Sequence, residues 1–167
     1  MNSNIWLILT MKLRLLCVGK TNFNFLNEGE NEYTNRLIHY CNLSRIDIPE
    51  LKNAKSLSIP EIKNREGQLI LAKVQATDLL ILLDENGKMY TSNEFATFFE
   101  KKMIQGKTSI VFVIGGAFGF SKEVYDRANE LISLSKMTFS HQLIRIIFLE
   151  QLYRSFTILK GEKYHHN

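Results

Sequence analysis

The spacing of three glycines offers the first chemistry in this chain. Gly115, Gly116 and Gly119 stand in the run Gly115-Gly116-Ala117-Phe118-Gly119-Phe120, directly after the β-branched stretch Thr108–Ile114. A glycine-rich turn at the carboxyl end of a buried strand lets a ligand touch main chain where side chains would otherwise stand. The same glycines also suit a tight strand-to-helix turn, and alone they leave both readings open. Ala117 breaks a G-x-G-x-x-G pattern starting at Gly115, and no Gly-Lys-Ser/Thr follows. A dinucleotide or nucleoside-triphosphate site is therefore disfavoured. A second stretch, Leu134-Ser135-Lys136-Met137-Thr138-Phe139, separates an apolar run from a helical one. Its backbone N–H and C=O groups can read an adenine edge, or it is an ordinary loop closed by an N-cap at Ser140.

The last helical segment reads HQLIRIIFLEQLYR from His141 to Arg154. It is apolar over more than one face, which predicts burial, and at a chain end a second subunit is the natural cover. His141 and Arg145 share a face. Arg154 lies nine residues beyond Arg145, about half a turn around the axis. Glu150 and Arg154 are four apart with the acid first, so a simple helix ion pair competes with a functional role for Arg154. The tail Lys160–Asn167 carries Tyr164, His165 and His166. Tyr164 and His165 can stack on or contact a base. A metal site is a poor reading, because no cysteine or carboxylate completes a ligand set around these histidines. No Ser/His/Asp arrangement and no carboxylate pair with hydrolase spacing is visible.

These residues need elements to hold them. Lys12–Val18, Leu43–Ile48, Asp78–Leu83, Thr108–Ile114 and Leu131–Leu134 read as short buried strands. Glu28–Cys41, Ile59 to about Ala76, Ser92 to about Met103, a segment starting at Ser121, and Ser140 to about Leu159 read as helices. Ser92 is taken as a simple N-cap without a capping box, and Asp84-Glu85-Asn86-Gly87 as a turn. Strands alternating with helices predict an α/β fold, a mostly parallel sheet with helices on both faces.

The 167 residues suit one domain with a real core. A formal net charge of +4 permits a polyanionic partner without demanding one. Cys17 and Cys41 are too few for a disulfide framework, so a reducing, cytoplasmic setting is expected. No apolar run approaches the roughly 20 residues needed to span a bilayer. Met1–Thr10 lacks the basic start of an export signal, and Lys12 and Arg14 interrupt the apolar stretch. Residues 1–10 read as an upstream extension outside the fold, and 11–167 as a single domain.

Taken in order, the runs FVIGGAFGFS, ISLSKMTFSHQLIR, LEQLYR and GEKYHH resemble the ribosomal RNA large subunit methyltransferase H family, a minimal branch of the SPOUT superfamily. KLRLLCVGK and LLDENGK fit its amino-terminal half, so the likeness runs from about Met11 to the end. Ala117 departs from the family pattern, where proline or another small residue often stands. The resemblance implies a SPOUT-type α/β fold whose carboxyl-terminal part threads a deep trefoil knot, a rare exception among folds. It implies S-adenosylmethionine as cofactor, contacted by Leu83, Gly115 and Leu134, Ser135, Lys136, Met137, Thr138 and Phe139. It implies methylation of N3 of a pseudouridine in 23S ribosomal RNA by a homodimer, with Arg154, Tyr164 and His165 on the substrate side. Neither a membrane nor a metal enters that chemistry. Two other classes compete: a non-catalytic ribosome-binding or assembly factor that keeps the fold, and a flavodoxin-like enzyme, which would carry flavin colour.

Overall fold

The computed structural model describes residues 11–166, with the side chains of His165 and His166 outside that description. The assignment of residues 1–10 to an extension lies outside it as well. The chain runs β1 (Lys12–Val18), α1 (Asn24–Leu37), β2 (Asn42–Ile48), α2 (Ile59–Leu71), β3 (Leu79–Met89), α3 (Ser92–Ile104), β4 (Ser109–Ile114), α4 (Lys122–Arg127), β5 (Glu130–Ser133) and α5 (Leu143–Leu159). The five strands form one sheet in the order β2-β1-β4-β3-β5, and every pairing is parallel.

The strands are apolar at nearly every position because both faces of the sheet are covered. Leu13, Leu15 and Cys17 of β1 join Ile110, Phe112 and Ile114 of β4 on one face. Leu37 of α1, Phe95 and Phe99 of α3, and Phe148, Leu152 and Phe156 of α5 close over them. Leu16, Val18, Val111 and Val113 point the other way and meet Ile70 of α2 and Val124 of α4. Both cysteines are buried and free, and burial raises their thiol pKa to about 11 for Cys17 and about 12 for Cys41. They act as small apolar residues.

In α1, α2, α3 and β3 local features differ from the sequence expectation, and α5 starts at Leu143, three residues after the expected Ser140. Helix α1 starts at Asn24 and ends at Leu37, earlier at both ends than expected. Helix α2 stops at Leu71. The cap of α3 is Thr91, with a full capping box: Glu94 N–H donates to Thr91 Oγ1 at 3.2 Å, and Thr91 N–H donates to Glu94 Oε2 at 2.7 Å. Taking Ser92 as the cap placed the boundary one residue late and hid the three-residue spacing that a capping box requires. The expected turn at Asp84–Gly87 is instead part of β3. Leu83 and Lys88 both pair with Ile132, so the four residues between them are extruded as a bulge within a continuing strand.

Helix α5 is covered largely by its own chain. Phe148, Leu149, Leu152 and Phe156 are buried against α1 and α3, while Leu143 remains exposed. Its apolar perimeter alone therefore does not require a second subunit.

Candidate functional site

The middle of β3 and the carboxyl ends of β4 and β5 converge on a cleft of about 390 Å³. This is where an open parallel sheet leaves room for a ligand, and the volume falls in the usual range for small-molecule sites. Leu83 closes the first half of β3, and Gly115 and Gly116 begin the turn after β4. Leu134, Ser135, Met137, Thr138 and Phe139 form the opposite wall. Of the residues marked as cofactor contacts in the sequence, Lys136 is the one that does not line the cleft. The bulge adds Asp84, Glu85 and Asn86, and α4 and the start of α5 add Tyr125, His141 and Ile144. Sequence periodicity could not find these, because Asp84–Asn86 read as a turn and Tyr125 as one position on a short helix.

The turn after β4 is built for close approach. A Cβ on Gly115 would stand 3.1 Å from the Phe120 ring, and one on Gly116 would stand 2.7 Å from Glu66 Oε2. Gly119 adopts a positive φ of 76°, which favours glycine. In the wall beyond, Ser135 Oγ accepts the Met137 N–H at 2.9 Å, and Ser133 Oγ donates to the Ser135 carbonyl at 2.8 Å. These bonds fix the loop while leaving main-chain groups to face a ligand.

The cleft is electrostatically one-sided. Asp84 and Glu85 line it, and among the described residues no lysine or arginine does. Burial, then the neighbouring Arg145 charge, lowers the pKa of His141, so the imidazole is mainly neutral near pH 7. Behind Gly116 the Glu66 carboxyl is pushed upward by burial and by Glu50, and its Oε2 has no hydrogen-bond partner. Such a lining suits an uncharged or cationic ligand and opposes phosphate. An adenosine carrying a sulfonium and an amino-acid end fits this donor set. A pyrophosphate does not.

Arg145 ties the cleft to the sheet. It is fully buried, and donates to the Val18 carbonyl at 2.8 Å, the Thr21 hydroxyl at 2.8 Å and the His141 carbonyl at 3.0 Å. Thr21 in turn donates to the buried Glu30 at 2.7 Å, and Glu30 is paired with Arg45. The network joins the end of β1 to the first turn of α5, and its only trace in the sequence is the i,i+4 spacing of His141 and Arg145.

Arg154 and Tyr164 lie elsewhere. Arg154 donates to Glu150 Oε1 from Nε at 2.9 Å and Nη2 at 2.6 Å, so the helix ion pair expected as the simpler reading is present. Its guanidinium also sits 4.7 Å from the centre of the Tyr164 ring. Tyr164 stacks edge-on against Tyr153 at 4.8 Å, and its hydroxyl reaches Tyr33 at 3.4 Å and Glu150 at 3.3 Å. Burial, with the Tyr33 contact second, raises the Tyr164 pKa and keeps it a phenol. None of these residues lines the cleft. Ile144 does, and Arg154 follows it by ten residues on α5, roughly 15 Å along the axis. The side chain of His165 lies outside the described residues. Among the described residues no group of His, Cys, Asp or Glu is placed to hold a metal, and no helix is long and apolar enough to cross a membrane.

Comparison with known proteins agrees with this geometry. The family model described as "Predicted SPOUT methyltransferase" matches residues 11–165. Proteins named ribosomal RNA large subunit methyltransferase H are similar over 156 residues, 93% of this chain in each case. That of Parabacteroides distasonis is 53% identical, with 99% of its length covered. That of Christiangramia forsetii is 51% identical with 99% covered, and that of Cytophaga hutchinsonii 53% identical with 100% covered. With an all-parallel α/β sheet, a cleft at its carboxyl edge and this match over nearly its whole length, the chain belongs to the SPOUT methyltransferase family.

Proposed function

We propose that this chain is an S-adenosylmethionine-dependent methyltransferase of large-subunit ribosomal RNA. It acts on N3 of a pseudouridine in 23S ribosomal RNA, as a cytoplasmic homodimer with the trefoil-knotted topology of its family. The observation that carries the reading is the cleft itself. Of the positions marked by the resemblance, Leu83, Gly115 and the loop Leu134–Phe139 apart from Lys136 surround one space whose polarity suits the cofactor. The relatives named above carry the large-subunit ribosomal RNA in their names.

In this reading Leu83, Gly115, Leu134, Ser135, Met137, Thr138 and Phe139 hold the cofactor mainly through backbone, with Lys136 at the outer side of the same loop. The bound cofactor supplies a sulfonium-activated methyl group, so no metal is required. The chain must align the imide nitrogen with that group and help remove its proton. Arg154 favours the deprotonated imide by charge, while Tyr164 and His165 hold the base. In one chain Arg154 and Tyr164 stand at the far end of α5 from the cleft. A complete site therefore takes its cleft from one copy and its Arg154–Tyr164 cluster from another.

The test maps modified nucleosides in large-subunit ribosomal RNA from cells with and without the gene, alongside calorimetry of S-adenosylmethionine on the purified protein. Loss of one methylated pseudouridine together with measurable cofactor binding is expected. Unchanged modification in the deletion strain, or a protein that binds no cofactor, would overturn the proposal.

A further inference from the structure

The bulge in β3 does more than interrupt the ladder. Strand β3 pairs with Ile132 of β5 twice, once through Leu83 and again through Lys88. The residues in between have nowhere to go within the sheet. Gly87 lies so close to β5 that a Cβ there would stand 2.5 Å from the backbone N and carbonyl carbon of Ile132. Asp84, Glu85 and Asn86 are thereby extruded onto the wall of the cleft. Bulges beside ligand sites commonly re-aim a side chain in this way.

Asp84 is the one of the three held from two sides. Its Oδ2 accepts the Tyr125 hydroxyl proton at 2.6 Å. Its Oδ1 accepts the Asn86 backbone N–H at 2.9 Å and the Asn86 amide at 3.2 Å. Tyr125 is itself fixed, edge-on against Phe120 at 5.8 Å, and both rings line the cleft. Burial, then the Asp84 hydrogen bond, raises the Tyr125 pKa to about 12, so the phenol stays a donor. A carboxylate oxygen that accepts one or two such bonds keeps acceptor capacity. The result is a carboxylate fixed in a cleft whose lining, among the described residues, has no lysine or arginine.

We propose that Asp84, oriented by Tyr125, is a specificity-determining residue of the cleft, favouring a cationic sulfonium cofactor over the neutral thioether left after methyl transfer. The inference rests on the cofactor reading above. The two ligands share adenosine and amino-acid ends and differ at sulfur, where one carries the transferable methyl group and with it a positive charge. Apart from packing against the methyl group, a charge-dependent interaction separates them, and a carboxylate in a partly desolvated cleft supplies one. Such a preference loads the cleft with fresh cofactor and releases the spent one. Tyr125 is a positioning residue, acting through the carboxylate that it holds.

Calorimetry with S-adenosylmethionine and S-adenosylhomocysteine separates the possibilities without relying on turnover. Asp84→Asn keeps the side-chain shape and is expected to weaken the sulfonium ligand about tenfold while changing the thioether less than about twofold. Asp84→Glu, which keeps the charge, should retain the preference, and Tyr125→Phe should lose part of it in the same direction. Far-UV spectra and melting curves check that each variant is folded, and Tyr125→Phe carries the test should Asp84→Asn unfold. Equal weakening of both ligands in Asp84→Asn would overturn the inference, since Asp84 would then contact a group common to the two. Unchanged affinities, or a preference lost in Asp84→Glu, would overturn it as well. A wild-type protein that binds neither ligand would instead sink the cofactor reading, and this inference with it.

Discussion

Two carboxylates show how the same residue type takes opposite roles in this protein. Glu150 is partnered by Arg154 and Tyr164 midway along α5. Glu66 is pressed behind Gly116 with Oε2 unpartnered and its pKa raised by burial and by Glu50. A raised pKa means that the folded chain holds this proton more tightly than the unfolded chain. Deprotonation therefore costs stability as pH rises above the ordinary value of 4.5. Glu66→Gln should raise stability at neutral pH by a few tenths of a kcal/mol to about 1 kcal/mol, allowing for partial solvent screening. The gain should fade as pH drops toward 4.5, which urea titrations across that range will measure. Arg154 makes a second case at this scale. If it served only as the partner of Glu150, Arg154→Ala would cost about 0.3–0.5 kcal/mol and little activity. The proposed role predicts turnover lowered by at least about a hundredfold with cofactor affinity unchanged, read by single-turnover kinetics beside calorimetry.

Among the elements, β3 and α3 lend themselves to direct tests. Gly87 is the point where the bulge passes over β5, and any side chain there meets backbone that cannot yield. Gly87→Val should lower stability by about 2 kcal/mol or more and weaken cofactor binding, since the extruded residues would be displaced. Thermal melts with and without ligand read both effects. Gly115→Val should act differently. Its Cβ meets the Phe120 ring, which is also a wall of the cleft, so cofactor affinity should fall while the chain stays folded. At the start of α3, Thr91→Ala removes one half of a reciprocal cap and should cost about 1 kcal/mol. Ser92→Ala should cost less, its hydroxyl being turned to Gln151 at 2.9 Å. Chemical denaturation of the two variants side by side decides between the two caps.

For the whole molecule the question is how a cleft at one end of α5 works with a cluster at the other. A mixed dimer answers it. Subunits carrying Arg154→Ala and Gly115→Val are each expected to be inactive alone. If Arg154 acts across the interface, the mixed dimer pairs the intact cleft of the first with the intact arginine of the second. One site is then restored, and random reassociation predicts roughly a quarter of wild-type activity. If Arg154 acts within its own chain, no mixed dimer has a complete site and the mixture stays silent. Sedimentation at assay concentration accompanies the test. An active monomer would remove the shared site altogether.

Strand positions, the parallel α/β class and the loops that ring the cleft were all legible in the sequence. Runs such as Leu79–Leu82 and Ile110–Val113 are short, β-branched or leucine-rich and apolar at successive positions, the pattern of a strand buried on both faces. Gly115, Gly116 and Gly119 marked the turn for a comparable reason, the first two because a Cβ would crowd Phe120 and Glu66, the third because its φ is positive. What depends on partners distant in the chain stayed hidden. Asp84-Glu85-Asn86-Gly87 has the composition of a turn, and it becomes a bulge only because β5, more than forty residues on, pairs with β3 on both sides of it. Asp84 gains its orientation from Tyr125, and Arg145 is buried only because Val18 and Thr21 wait for it at the end of β1. Local sequence sets the backbone propensity and the apolar period. Which polar groups end up desolvated, paired or aimed into a cleft is decided by contacts that exist only once the sheet has closed.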